Sequence, residues 1–538
     1  MKKLFALLLA LTMVFSLAAT AAAEETTYSL TIDGSQNGHT YTAYQIFDGD
    51  LAGGTTESPA LILSNIVWGD GVSDAGKTAL LSFGKGEGEV AYADAAALAA
   101  ALSEDNVKNF AKAVSSNLGT AAGSVKATGD DAQITGLAAG YYLVTDSFSG
   151  TGAQDSALSA YMIKVVGNVT ATSKHAKPTV DKQVLDETAD AEADATNGWG
   201  ETADHAINES FQFKLTATIP ADDDYADYET YKLVFNDTMS RGITFESIES
   251  VKVGTTPIHG YTTEKLTDDL KGEATWSLTI EDLKEYVSNL TAGATVEVIY
   301  NAHLNEDAAI GNVPTNLNKV NLQYSNNPNA SGEGHTDMGK TLDDTVWVFT
   351  YKIDSTKYHD AAESGKELEG AGFTLYDSTG AAVKLVYDST KGAYRPASTT
   401  EIEADASKEE NQKIVVTEMT SAENGKFNVV GLDAGTYTLK ETTVPAGYNK
   451  CDDITIVISA THSEAESEDT ASTTITMKKD QEDAVSAEGF VNAVINKSGA
   501  TLPETGGMGT TLFYIVGGIM VAAAVVLLVT KKRMGAEG

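Results

Sequence analysis

The chain has 538 residues, a formal net charge of −39 at pH 7 and one cysteine, Cys451. This strong negative charge argues against nucleic acid and anionic membrane surfaces as partners, and a lone cysteine forms no intramolecular disulfide. The sequence has no HExxH pair and no Cys/His cluster, so it predicts no metal site and no cofactor. The acidic run 222–224 lacks the spaced Asp/Asn and Gly pattern of a calcium loop, and we interpret it as a solvated loop.

The first residues predict export. Lys2 and Lys3 precede the apolar stretch Leu4–Ala19, which is followed by the small residues Ala21–Ala23. This order is typical of a secretory signal peptide, here residues 1–23, rather than of a folded element. We therefore expect the folded protein to begin at Glu24.

The sequence of the central part of the chain predicts mostly short strands. Thr, Val, Tyr and Ile alternate with polar residues, and Gly, Asn and Asp separate the runs, as in Tyr28–Ile32 and Val296–Leu304. The clearest helical stretch is the Ala-rich segment from Tyr92 to Leu118. The pattern favours a mainly β fold of Ig-like β-sandwich domains in tandem.

Two boundaries divide these strands into three domains. Near Lys174–Pro178 a strand-like stretch ends and a proline restarts the chain in extended form. Near Met338–Lys340 a long polar loop ends. The predicted domains are 24–176, 177–340 and 341–499, followed by a C-terminal segment, 500–538.

The first and third domains share a sequence echo. GLAAGYYLVTD at 136–146 matches GLDAGTYTLKE at 431–441 in its turn glycines and inner tyrosine, with Asp146 in place of Glu441. The two domains are therefore expected to share a fold. The first strand of domain one, Tyr28–Asp33, contains no lysine, so we predict no crosslink beside Asp146.

In the third domain, three strand-like stretches each place one polar residue on an otherwise apolar face, because side chains alternate along a strand. These residues are Lys352 in the stretch 346–352, Glu441 in 437–441 and Asn496 in 490–496. A buried carboxylate is costly unless it is paired or neutral, whereas an uncharged lysine is a nucleophile. We expect the three side chains to meet in the core, where the acid polarises the amide and a Lys–Asn isopeptide bond forms with loss of ammonia.

The second domain offers an equivalent set. Lys182 lies on the apolar face of PTVDKQV, Asp237 on that of YKLVFND and Asn318 on that of NKVNLQYS. The same reasoning predicts a second isopeptide bond, with Asp237 as the acid. Asn321 is the neighbouring alternative to Asn318, although it falls on the opposite face of its strand.

The C-terminal segment contains three features in a fixed order. The pentapeptide Leu502–Gly506, LPETG, is followed by an apolar run from Leu512 to Val529 and then by the basic residues 531–533. The run is long enough to span a bilayer, and basic residues beyond it fit the positive-inside rule. This order resembles the cell-wall sorting signal of Gram-positive surface proteins, which implies that a sortase cleaves between Thr505 and Gly506.

Further resemblances cover nearly the whole chain. GLDAGTYTLKETTVPAGYN resembles the E-box region of CnaB-type domains in Gram-positive pilins, which implies bond formation by Lys352 and Asn496 with Glu441 as the acid. The second domain resembles the middle domain of backbone pilins. GHTYTAYQIFDGDL and LSNIVWGDGV resemble the N-terminal domain of major pilins. In that family, a lysine that ends the last strand of the N-terminal domain accepts the next subunit; the spacing of VTATSKHAKPTV implies Lys174, with Lys177 as the alternative.

The sequence therefore predicts a backbone pilin subunit on the surface of a Gram-positive bacterium, with a precursor held transiently in the membrane. The implied partners are other copies of the chain in a covalent polymer, a pilin-specific sortase, a housekeeping sortase with peptidoglycan, minor pilins and host surface ligands. No turnover as an enzyme is expected. The alternative is a monomeric wall-anchored adhesin; a wall-anchored glycosidase would require a paired-carboxylate cleft, which we do not find in the sequence.

Overall fold

The computed structural model describes residues 26–53, 62–103, 105–148, 160–173, 176–186, 197–220, 225, 228, 230–265, 275–288, 290, 293–327, 338–464, 471–499 and 509–534. Strands dominate these residues, and they form facing sheets in three successive domains. The prediction of a mainly β fold of Ig-like domains is confirmed.

Domain one combines two sheets with a small helical subdomain. Its elements are β1 (Tyr28–Asp33), β2 (His39–Ala52), β3 (Ile62–Trp68), α1 (Asp74–Ala79), α2 (Ala95–Ala100), α3 (Val107–Ser115), β4 (Gly123–Lys126), β5 (Asp131–Leu137), β6 (Gly140–Phe148), β7 (Ala160–Val165) and β8 (Val169–Thr172). One sheet has the order β5-β1-β8, and the other has the order β3-β2-β6-β7 with β4 beside β2. The helical stretch predicted from Tyr92 to Leu118 contains two helices: α2 begins after its N-cap, Asp94, and the helical structure is interrupted before α3.

Domain two is a sandwich of two larger sheets. Its strands are β9 (Thr179–Leu185), β10 (Trp199–Gly200), β11 (Thr202–Asp204), β12 (Ser210–Thr218), β13 (Leu233–Met239), β14 (Ile243–Val253), β15 (Thr256–Pro257), β16 (Tyr261–Lys265), β17 (Trp276–Ile280), β18 (Thr295–Leu304), β19 (Leu317–Ser325) and β20 (Met338–Lys340). Every second residue of β12, β13 and β18 is buried, as expected when one face of each strand lies on a core.

Domain three contains the remaining strands and one short helix. They are β21 (Asp344–Phe349), β22 (Tyr351–Ile353), β23 (Ser355–His359), β24 (Gly372–Tyr376), β25 (Leu385–Asp388), β26 (Ala393–Pro396), α4 (Thr399–Ala406), β27 (Val415–Val416), β28 (Glu418–Thr420), β29 (Val429–Leu432), β30 (Gly435–Thr443), β31 (Ile454–Glu464), β32 (Ala471–Lys479), β33 (Val485–Ser486) and β34 (Asn492–Asn496). A separate apolar helix, α5 (Gly509–Met534), follows. The last strand of this domain is β34. It pairs with β23, and the two strands run parallel.

Strand β21 belongs to both the second and the third domain. It pairs with β19 and β11 in a sheet of domain two, whose order is β11-β21-β19-β13-β17-β16. Val346 and Val348 pack in the core of domain two, whereas Trp347 and Phe349 pack in the core of domain three. The boundary predicted at residue 340 therefore lies just before a strand that contributes its two faces to two different cores.

Candidate functional site

In domain two, a lysine, an acid and an asparagine meet inside the sandwich. Lys182 on β9 extends from one sheet, whereas Asp237 on β13 and Asn318 on β19 extend from the facing sheet. All three side chains are completely buried. Lys182 Nζ donates a hydrogen bond to Asp237 Oδ2 over 2.5 Å. Each side chain lies on the core-facing side of its strand together with apolar residues two positions away, which is why the sequence predicts that the three meet.

Tyr300 on β18 connects the members of this cluster. Its hydroxyl accepts a hydrogen bond from Lys182 Nζ at 3.0 Å and one from Asn318 Nδ2 at 2.7 Å, and it donates to Asp237 Oδ2 at 2.9 Å. Sequence reasoning missed Tyr300, because its spacing along β18 is that of an ordinary core aromatic residue. Asn321, the alternative amide, lies outside the cluster and bonds to Asn236 and Asp343 instead.

Burial shifts the pKa values of the lysine and the acid in the directions that favour their uncharged forms. It lowers the pKa of Lys182, with the nearby Asp237 charge acting in the opposite direction. It raises the pKa of Asp237, against the attraction of Lys182. Both shifts arise because a low-polarity interior disfavours charge. They favour the two forms that acyl transfer to an amine requires, a neutral amine and a protonated acid.

Domain three contains a second buried set, and its lysine is Lys357. Lys357 Nζ lies 2.5 Å from Asn496 Oδ1 and 3.1 Å from Glu441 Oε1. Asn496 Nδ2 donates to the same Glu441 oxygen at 2.7 Å, and the backbone N–H of Cys451 donates to Glu441 Oε2 at 2.9 Å. Burial lowers the pKa of Lys357. The amine, the acid and the amide are thus in mutual contact.

Lys352 does not take part, which corrects the expectation from sequence. Its side chain is about half exposed, at 52%, and its Nζ forms an ion pair with Asp354 at 2.7 Å. The strand face counted from Val346 packs in the core of domain two, whereas the opposite face, with Phe349, Tyr351 and Ile353, packs in the core of domain three. Lys352 consequently faces outward. The inward lysine comes from β23, in a stretch, STKYH, whose polar sequence gives no periodic signal of burial.

The acid of domain three is held by a tight turn that recurs in domain one. Gly431 has φ 76° and Gly136 has φ 78°, a backbone region that favours glycine. Beyond each turn, an inward tyrosine donates its hydroxyl to a backbone carbonyl four residues earlier, Tyr437 to Asp433 at 3.0 Å and Tyr142 to Ala138 at 2.9 Å. The sequence echo is therefore a structural equivalence.

In domain one the equivalent acid contacts a histidine. Asp146 Oδ1 lies 2.8 Å from Nδ1 of His39 on β2, and both residues are buried. The inward residues of β1, the strand that runs parallel to the last strand β8, are Leu30 and Ile32. A lysine corresponding to Lys357 is thus replaced by apolar side chains.

The stretch 71–78, GVSDAGKT, matches the spacing of a phosphate-binding loop between a strand and a helix. A loop of that kind directs its backbone N–H groups at phosphate oxygens. Here the N–H of Gly71 donates to the Gln45 carbonyl, and that of Gly76 donates to the Ser73 hydroxyl. Because these donors are used internally, no nucleotide site follows from the match.

Several predicted residues lie outside the described residues: the signal peptide 1–23, the acceptor Lys174, the acidic run 222–224 and the sorting pentapeptide Leu502, Pro503, Glu504, Thr505 and Gly506. The alternative acceptor, Lys177, is exposed just before β9. Within α5, the 20 residues Phe513–Lys532 have a mean hydropathy of 2.5, so this helix is long and apolar enough to cross a membrane.

Three family models match successive parts of the chain. Residues 207–328 match the Gram-positive pilin backbone subunit 2, Cna-B-like domain. Residues 352–473 match the SpaA prealbumin-like fold domain, and residues 495–534 match the LPXTG cell wall anchor motif. No curated protein matches the chain at a significant level.

Solved structures of pilins resemble the chain in fold. A backbone pilin of Streptococcus pyogenes is 16% identical with a TM-score of 0.50, and the match covers 89% of this chain and 100% of that one. The major pilin SpaD of Corynebacterium diphtheriae is 17% identical with a TM-score of 0.43, over 88% of this chain and 98% of that one. A C-terminal fragment of a Streptococcus agalactiae major pilin is 24% identical with a TM-score of 0.37, over 53% and 91% of the two chains.

The anchor motif and the apolar helix define a cell-wall-anchored surface protein of a Gram-positive bacterium. Within that class, the pilin backbone domain ahead of the anchor makes the chain a Gram-positive backbone pilin, a structural subunit of a sortase-assembled pilus.

Proposed function

We propose that two autocatalytic isopeptide bonds stabilise the subunit, Lys182–Asn318 in domain two and Lys357–Asn496 in domain three. The observation that carries the proposal is the contact of Lys357 Nζ with the Asn496 side chain beside a buried acid. In each bond, the lysine Nζ attacks the asparagine Cγ and a new C–N bond forms. The Cγ–Nδ2 bond breaks, and the nitrogen leaves as ammonia, which carries its own two hydrogens and one that the neutral amine gives up.

Asp237 and Glu441 act as the proton-transferring acids in this scheme. Each one is buried beside its lysine, and Glu441 accepts a hydrogen bond from the amide nitrogen that leaves. A protonated carboxyl polarises the amide and donates its proton to it, and the carboxylate that results accepts a proton from the attacking amine. The groups react once, within one chain, so the chemistry is self-modification and not turnover.

Intact-mass measurement of residues 24–505 tests both bonds together. The expected mass is that of the sequence less two ammonia molecules. Peptide mapping should then recover Lys182 joined to Asn318 and Lys357 joined to Asn496. A mass equal to that of the unmodified sequence contradicts the proposal.

We further propose that a pilin-specific sortase cleaves between Thr505 and Gly506 and transfers the Thr505 acyl group to Lys174 of another copy. A housekeeping sortase then transfers the base of the polymer to peptidoglycan. Support comes from the match to the anchor motif and from the position of Lys174, two residues beyond the end of β8, the last strand of domain one. Minor pilins and host surface ligands remain part of this proposal as further partners.

The acceptor is tested with a matched pair of variants in the native host. Lys174→Arg should abolish the high-mass ladder in an immunoblot of denatured wall extracts, because a guanidinium stays protonated and is no nucleophile. Lys177→Arg should leave the ladder intact. The opposite outcome moves the junction to Lys177. A single band in the wild type would instead support the alternative, a monomeric wall-anchored adhesin.

A further inference from the structure

A histidine and two carboxylates meet where domains two and three touch. One ring nitrogen of His205 and one carboxylate oxygen each of Glu209 and Asp433 lie within 4.8 Å of one another. His205 and Glu209 follow β11 of domain two, whereas Asp433 lies in the turn between β29 and β30 of domain three. The groups that face one another therefore come from both domains.

The histidine is oriented as metal-binding histidines are. His205 is only 4% exposed, and its ring stacks on Phe211 with the ring centroids 4.2 Å apart. Its Nε2 lies 2.8 Å from the Leu185 carbonyl oxygen, which can only accept, so Nε2 carries the proton. The lone pair is then on Nδ1, which has no hydrogen-bond partner among the described residues. A backbone carbonyl that fixes one nitrogen while the other remains available is the usual outer support of a metal ligand.

Asp204 adds negative charge next to this group. It is completely buried, and its carboxyl group is within hydrogen-bonding reach of the Asp433 side chain. Its Oδ2 accepts from the Tyr351 hydroxyl at 2.7 Å and contacts His462 Nε2 at 3.0 Å, whereas its Oδ1 has no hydrogen-bond partner among the described residues.

We propose that His205, Glu209 and Asp433 bind one divalent transition-metal ion, with zinc as the best match, across the junction of domains two and three. Imidazole nitrogen together with carboxylate oxygen is a donor set that suits zinc, whereas calcium and magnesium take oxygen ligands. The Asp204 carboxylate would sit close behind the ligands and offset the charge of the ion. The proposal is independent of the isopeptide bonds.

Such an ion would stabilise the docked arrangement of the two domains. Ligands from both sides are available together only while the domains are in contact, so binding favours that state by mass action. Contacts that would hold the ligands in place are already present nearby: the Ile207 N–H donates to the Gly431 carbonyl at 3.0 Å, and His205 donates its backbone N–H to the Phe349 carbonyl at 3.0 Å.

Zinc titration of residues 24–505, which contain all three domains, tests the site. After chelator treatment and dialysis, calorimetry should show one saturable zinc site per chain, with no comparable heat from calcium. Glu209→Gln and Asp433→Asn should each weaken zinc binding by about tenfold or more, since even changes behind the ligands act on that scale. The control is His303→Gln, which removes an exposed His–Glu pair, His303 Nδ1 to Glu246 at 2.7 Å, and should leave the affinity unchanged.

Three results would overturn the proposal: no saturable zinc binding by the chelated wild type, unchanged affinity in Glu209→Gln, or equal loss in His303→Gln. Glu209→Gln keeps the test decisive if Asp433→Asn fails to fold. The Glu209 side chain is exposed, and a glutamine oxygen can still accept the hydrogen bond that Glu209 Oε2 receives from the Ala206 N–H at 3.1 Å.

Discussion

Domains one and three hold an acid in the same way but surround it differently. In both, a glycine turn and an inward tyrosine precede a buried acid by the same spacing, Asp146 in one and Glu441 in the other. The acid of domain one contacts His39, and that of domain three contacts Lys357 and Asn496. The turn and its tyrosine are thus a structural frame. Whether a crosslink can form depends on the residue that a separate strand brings to the acid.

Lys357→Met should have the largest effect on domain three. The nucleophile is lost, so the intact mass should show only one ammonia loss, and Asn496 should appear as an ordinary asparagine. A crosslink between terminal strands restricts the unfolded chain as a disulfide does, so we expect a loss of about 2–4 kcal/mol in the free energy of unfolding.

The matched control for that variant is Lys352→Met. Lys352 is exposed and paired with Asp354, so both ammonia losses and the melting temperature should be retained. If Lys352→Met loses a bond while Lys357→Met keeps both, the roles assigned to the two lysines are reversed.

Substitution of the two equivalent acids, Glu441 and Asp146, tests whether an acid held by this frame takes part in bond formation. Glu441→Gln should prevent the Lys357–Asn496 bond, because the neutral amide cannot take the proton from the amine, so the variant should show one ammonia loss from its own sequence mass instead of two. Asp146→Asn should still show two ammonia losses from its own sequence mass. Fewer losses in Asp146→Asn would mean that domain one also contributes to a bond.

Tyr300→Phe extends the comparison to domain two, where a hydroxyl joins the reacting groups. Loss of this hydroxyl leaves Asp237 and Asn318 each without one buried hydrogen bond. Each buried polar group that loses its partner lowers the free energy of unfolding by about 1–3 kcal/mol. We expect slower formation of the Lys182–Asn318 bond, followed by intact mass over time after refolding. Phe213 packs beside Tyr300 with the ring centroids 5.3 Å apart, and it has no hydroxyl, so Phe213→Leu is the control for packing. An unchanged rate in Tyr300→Phe would make the hydroxyl purely structural.

The smallest effect on stability is expected from substitution of the tyrosine in each frame. Tyr142→Phe and Tyr437→Phe each remove one hydrogen bond to a carbonyl, at a cost of about 1 kcal/mol. Thermal unfolding should show similar losses in the two domains, and each variant should still show two ammonia losses from its own sequence mass. Fewer ammonia losses in Tyr437→Phe would show that the frame also positions Glu441 for reaction.

Sequence reasoning brought three residues together where each one shares a strand face with buried apolar residues. Lys182, Asp237 and Asn318 lie on such faces, and they meet in one buried cluster. It failed at Lys352, because the face counted from Val346 packs on the core of domain two, and only the opposite face of the chain packs on the core of domain three. His205 and Asp433 also gave no signal in the sequence, since their proximity depends on how two domains dock.

The strand shared by domains two and three has a mechanical consequence. Val346 and Val348 anchor one side of β21 in one core, and Trp347 and Phe349 anchor the other side in the next. Bending at this junction would require the strand to be peeled out of one of these cores. Under tension, domains two and three should therefore respond as one stiff unit. A fibre built from such subunits would bend at other places along its length.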